Sequence, residues 1–186
     1  MSWERYTSNL LDALGGVIVS DRHGEALNVD EGFSRLKALV GSCAEKRQRA
    51  YFVGNGASAS MACHFSTDLA KMAGVPTEVF TDPSLITATG NDMGYERTFA
   101  YPLSQRVVPG ELLIAISSSG NSANIVSAID QVHGLGGHVV TFTAMSPSNA
   151  MRSMGDLNFY IPAASYGMAE SGHAVLLHHL VDLFSG

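Results

Sequence analysis

A chain of 186 residues, 46% hydrophobic and 15% charged, is long enough for one α/β domain with a sizeable core. Its 17 acidic and 11 basic residues give a net charge of −6. The basic residues are scattered apart from Lys46-Arg47-Gln48-Arg49, which reads as a solvated helix end, so the basic face of a nucleic-acid binder is missing. No apolar run has the length of a membrane span, and the polar, mixed-charge start is unlike a signal peptide. Cys43 and Cys63 lack metal-type spacing and read as buried free thiols, which fits the cytoplasm.

The first 48 residues read as helices. Leu10, Leu11, Leu14, Val17 and Ile18 recur at three and four residues, an amphipathic stripe that Gly15-Gly16 weakens. Residues 21–24 read as a turn. A second helix is predicted over 30–46, with Phe33, Leu36, Leu39 and Val40 on one face. Neither helix has a sheet of its own to cover, so both are expected to pack on the rest of the chain or on another subunit.

From residue 50 the pattern alternates. Strands are predicted at 50–54, 77–80, 111–116, 138–143 and 157–161. Helices are predicted at 58–73, 95–107 (interrupted near Pro102), 122–135 and 168–184. A short helix starts at Asp82-Pro83-Ser84, where Asp82 suits the N-cap and Pro83 the first helical position. The alternation predicts a single domain over residues 1–186, with 1–48 as a helical extension. Its architecture is three-layer αβα, around a doubly wound, parallel five-stranded sheet.

Two loops of small and hydroxyl-bearing residues each follow an apolar strand and open a helix. One is Gly54-Asn55-Gly56-Ala57-Ser58-Ala59-Ser60; the other is Ser117-Ser118-Ser119-Gly120-Asn121-Ser122. Helix N-termini offer free backbone N–H groups, and short hydroxyls add donors; both suit a phosphate. Ligands of such sheets bind beyond the carboxyl ends of the strands, where both loops fall. Neither loop carries the lysine of a nucleotide-triphosphate P-loop. The first loop fits a loose dinucleotide pattern, with Glu78 or Asp82 as its ribose acid, but the serine-rich loops favour a phosphate monoester. Ser122 is placed to cap its helix as well as to bind ligand.

His64 and Asp68 lie four residues apart on one helix face, a spacing that serves a shared metal, an acid/base pair or a simple hydrogen bond. On the last helix Glu170 and His178 are eight residues apart and can face one pocket, whereas His173 and His179, six apart, face away from at least one of them. A one-residue shift would exchange His178 for His179. His133 and His138 read as surface or satisfied core residues.

Together these segments resemble the sugar-isomerase (SIS) domain family, in particular its phosphoheptose isomerases. The resemblance runs from about residue 51 to 183. It rests on Gly54-Asn55-Gly56-Ala57-Ser58, His64-Phe65-Ser66-Thr67-Asp68, Gly90-Asn91-Asp92-Met93-Gly94 and Ile116 through Asn124. It implies a flavodoxin-like αβα fold and a homotetramer with active sites at subunit interfaces. It further implies phosphate contacts at Ser58, Ser117, Ser118, Ser119 and Ser122, and sugar contacts at Asn55, Gly56, Asp92 and Glu170. Asp68 and His178 match the catalytic pair, and His64, Asp68, Glu170 and His178 match positions that hold zinc in some members. No nucleotide cofactor is implied.

The chain departs from the family's usual residues at four places: Asp68 stands for Glu, Glu170 for Gln, Gly167 for Asp and Met72 for Arg. The implied activity is aldose–ketose isomerisation of a phosphosugar, most readily sedoheptulose 7-phosphate. The rival is a non-catalytic SIS adaptor that binds a phosphosugar and acts through a protein partner. A dinucleotide-dependent oxidoreductase is disfavoured by the serine-rich second loop.

Overall fold

The computed structural model describes residues 2–185. It begins with α1 (Trp3–Gly15), a hairpin of β1 (Ile18–Asp21) and β2 (Ala26–Leu27), and α2 (Val29–Lys46). Then follow β3 (Ala50–Gly54), α3 (Ala57–Ala73), β4 (Thr77–Val79), α4 (Pro83–Met93) and α5 (Ala100–Ser104). The chain closes with β5 (Leu112–Ser117), α6 (Ala123–Gly134), β6 (His138–Ala144), β7 (Leu157–Ile161) and α7 (Tyr166–Asp182).

The sheet order is β2-β1-β7-β6-β5-β3-β4. The five expected strands, β3 to β7, are all parallel to their neighbours within that group. Their order reverses between β3 and β5, so both start at the centre and lead away in opposite directions. This is the switch point of a doubly wound sheet, where a crevice opens.

Alternation along the strands builds two cores. Phe52, Ile114, Phe142 and Phe159 face one side, against Phe33 and Leu36 of α2, Phe65 and Leu69 of α3, and Leu177 of α7. Tyr51, Val53, Leu113 and Val139 face the other, against Leu103 of α5 and Ile125, Ile129 and Val132 of α6. Fully burying each such side chain contributes roughly 1.5–3 kcal/mol.

The expectation of an all-helical start is corrected. α1 ends at Gly15, and the β-branched run Val17-Ile18-Val19 leaves the helical stripe to form β1. β1 pairs antiparallel with β7, and β2 pairs antiparallel with β1, so the sheet is mixed and has seven strands. The turn at 21–24 is the hairpin's own: Asp21 accepts from the N–H groups of His23 and Glu25. The helix expected at 95–107 divides into a 3-10 turn at Tyr95–Arg97 and α5. Pro102 sits in the first turn of α5, where a missing N–H breaks no helical bond, so the interruption falls before it. Asp82 caps α4 as expected, accepting from Ser84 N and Leu85 N. Cys43 is buried, but Cys63 is partly exposed, its Sγ 3.5 Å from Thr81 Oγ1. Among the described residues no helix is long and apolar enough to cross a membrane.

Candidate active site

The two loops meet at the switch point. A cavity of about 280 Å³ opens there, lined by Asn55, Gly56, Ala57 and Ser58 of the first loop and Ser117, Ser118, Ser119 and Ser122 of the second, with Ile116, Tyr166 and Glu170. α3 and α6 both start at it, so their free N–H groups and positive dipole ends favour an anion. No lysine or arginine lines it. A Cβ at Gly54 would meet the Ser58 backbone at 2.6 Å, so glycine is what lets α3 start hard against the end of β3.

The hydroxyls differ in their commitments. Ser117 Oγ accepts from Gly120 N at 3.2 Å. Ser118 Oγ is buried and has no hydrogen-bond partner, and such a group is costly unless a ligand or water meets it. Ser122 occupies the N-cap position of α6 but makes no side-chain cap bond; its Oγ lies 3.5 Å from Ser117 Oγ. Its hydroxyl is therefore turned to Ser117 rather than used in capping.

Asn55 and Asn124 exchange two amide hydrogen bonds of 2.9 Å each, tying the first loop to α6. Asn55 Oδ1 also accepts from the Tyr95 hydroxyl, and Asn124 Nδ2 donates to Thr98 Oγ1. Asp92 stands apart: it is exposed, accepts from Asn91 Nδ2, and does not line the cavity.

A second cluster lies where α3 and α7 pack side by side. His64, Asp68 and His178 each bring one ligand-type atom within 4.8 Å of the others. His64 Nε2 is 3.2 Å from Asp68 Oδ2. The His178 ring meets Phe65 edge-on at 4.7 Å and His64 at 5.6 Å. His179 instead packs edge-on against Phe33 of α2 at 4.6 Å, so His178 is the histidine turned to the cluster. Glu170 is the predicted ligand left out. It lies eight residues earlier on α7, about 12 Å along the helix axis, and lines the phosphate-type cavity.

Two nitrogens and one carboxylate oxygen are the donor set of a catalytic zinc with an open position. The 3.2 Å edge is close to that between two ligands about 2.1 Å from a tetrahedral ion, so these residues fit such a metal.

His173 is fully buried beneath this region, against Phe142. Neither ring nitrogen makes a well-formed hydrogen bond. Burial lowers its pKa to about 4, the nearby Thr143 main chain opposing. Tyr95, Tyr166 and Asn124 were not singled out individually from the sequence as site residues. Only Asn124 carried a signal, inside the quoted serine-loop motif.

Glu78 and Asp82, the candidate ribose acids, are used otherwise. Glu78 pairs with Arg106 at 2.9 Å, and Asp82 caps α4.

A family model described as the SIS domain matches residues 27–144. The chain belongs to the SIS domain family. It is 33% identical over 137 residues to the phosphoheptose isomerase of Trichlorobacter lovleyi, covering 70% of this chain and 69% of the relative. It is 31% identical over 153 residues to that of Coxiella burnetii, covering 78% and 77%. A phosphoheptose isomerase structure from Francisella tularensis shares its fold with a TM-score of 0.84 at 23% identity, over 100% of this chain and 99% of that one.

Proposed function

We propose that this SIS domain is an aldose–ketose isomerase that converts sedoheptulose 7-phosphate into D-glycero-D-manno-heptose 7-phosphate. The observation that carries the reading is the convergence of His64, Asp68 and His178 on α3 and α7, the two helices that also border the phosphate-type cavity. Ser58, Ser117, Ser118, Ser119 and Ser122 hold the phosphate with hydroxyls and helix-start N–H groups. Asn55, Gly56 and Glu170 border the sugar. Asp92 joins it only if its segment is brought closer.

The reaction moves a proton between C1 and C2 through an enediol. Asp68 takes the proton from C1 of the ketose while His178 gives one to the oxygen on C2. In the second half Asp68 returns its proton to C2, and His178 takes the hydroxyl proton at C1. Anchoring the phosphate orients C1 and C2 toward the pair, which removes much of the entropic part of the barrier. Zinc, held by His64, Asp68 and His178 with Glu170 as a further candidate, would polarise the carbonyl and hydroxyl oxygens as a Lewis acid.

The same reading takes the enzyme as a single-domain, cytoplasmic homotetramer with interfacial sites. Free Cys43 and Cys63 suit a reducing compartment. Trp3 and Leu11 on α1 and Val175 on α7 are large apolar side chains left exposed, which suits subunit contacts.

The test is turnover of sedoheptulose 7-phosphate by the purified protein. Asp68→Asn is expected to lower kcat by roughly 10²–10⁴ while phosphate binding persists. Full activity in that variant would defeat the assignment. Absent turnover with intact phosphosugar binding would favour the adaptor.

A further inference from the structure

The outer side of the serine loop is held by one short segment, residues 144–152. Ala144 N donates to Ser118 O, and Met151 N donates to Gly120 O at 3.0 Å. Ala150 N donates to Asn121 Oδ1 at 2.9 Å. Three contacts from one segment thus fix three successive parts of the loop, leaving its other side to the cavity.

At the centre of that segment is Asn149, only 4% exposed. Its Nδ2 donates to Ala144 O at 3.3 Å and Ser146 O at 2.8 Å, and its Oδ1 accepts from Arg152 N at 3.1 Å. The two carbonyls flank Met145, a non-glycine residue at φ 60°, a conformation with an intrinsic cost. The Asn149 amide therefore closes a turn that would otherwise relax. The same side chain fills the space beside Gly120, where any Cβ would overlap it. Gly120 has φ 62°, so its left-handed bend and the Asn149 amide fit as one unit.

We propose that Asn149, outside the cavity itself, is a positioning residue that sets the shape of the serine loop for phosphate. The proposal rests on the reading of residues 117–122 as the phosphate loop. It assigns the loop's geometry to a residue about thirty positions further along the chain. The Asn149 amide holds residues 144–152, these hold Ser118, Gly120 and Asn121, and the loop's donors are thereby aimed before the ligand arrives.

The test measures binding of inorganic phosphate by calorimetry, with KM and kcat for sedoheptulose 7-phosphate, in Asn149→Ala and Ser119→Ala proteins. Thermal melting checks that each is folded. Asn149→Ala is expected to weaken phosphate binding about tenfold and raise KM similarly, with kcat within twofold. A folded Asn149→Ala protein with phosphate binding and KM within twofold of the parent overturns the proposal. So does a loss confined to kcat. If Asn149→Ala does not fold, Asn149→Ser, which keeps an acceptor oxygen but neither amide donor, is judged by the same criteria. Unchanged phosphate binding in Ser119→Ala would instead count against the phosphate loop itself, a separable failure.

Discussion

His173 shows how a single buried ring links stability to pH. Its folded pKa, about 4, lies below the ordinary value of 6.5 because burial penalises the charged form. Between those values the unfolded chain binds more protons than the folded one. Stability therefore rises with pH through that window, is flat above it, and falls on acidification. From pH 7 to pH 5 this residue alone is expected to cost about 2 kcal/mol. His173→Phe should remove that component, seen as a smaller difference between urea-unfolding curves at the two pH values. An unchanged difference would assign the acid sensitivity to other groups. The proposed catalytic pair is differently placed: Asp68 is half-buried and His178 exposed, which suits groups that would exchange protons with a substrate. His64 and Asp68 were legible as an i,i+4 pair because both lie on one helix. Their meeting with His178 was implied only by the family resemblance, and the packing of α7 on α3 turns His178, rather than His179, to the cluster. Asn149 was invisible in the sequence, since its meaning is a contact with Gly120 across the fold.

Among the elements, the parallel strands were legible because burial on both faces makes short continuous apolar runs, Tyr51-Phe52-Val53 and Leu112 through Ile116, each ended by glycine or serine. The hairpin was not, because β1 and β2 have only four and two residues and follow directly on a helical stripe. Opposite the cavity, β3 and β5 are tied at their starts by Glu111. This carboxylate is 2% exposed and accepts from Arg49 N, the Tyr51 hydroxyl and Val108 N, each at 3.0 Å. Burial pushes the Tyr51 phenol up, and its bond to Glu111 adds to the shift. Glu111→Leu leaves the buried Tyr51 hydroxyl and two partly buried N–H groups without an acceptor and is expected to cost about 2–3 kcal/mol. Because the change is at the far end of the strands, kcat per folded molecule should stay the same. Denaturant unfolding with an activity assay separates the two effects.

At the scale of the molecule, the serine-lined cavity sits at the carboxyl ends of β3 and β5, while Glu111 braces the opposite ends. The hairpin completes one side of this arrangement. Its β1 covers the edge of β7 by pairing Ile18 with Tyr160 and Asp21 with Leu157. A protein lacking residues 1–28 would present β7 as an open edge. It is expected to melt at lower temperature and to scatter light on refolding, where the full chain stays clear. Equal melting and clear refolding would show that β7 needs no cover.

The pairing of β1 with β7 also sets an order of events during synthesis. β1 can pair with β2 as soon as both are made, but its other neighbour, β7, is made only after β3 to β6. Until then the edge of β1 that faces β7 has no native partner. Local units such as the β1–β2 hairpin and β3–α3 can form early, but the sheet closes last, and a ribosome that stalls before β7 releases a chain whose hairpin has one edge of β1 open.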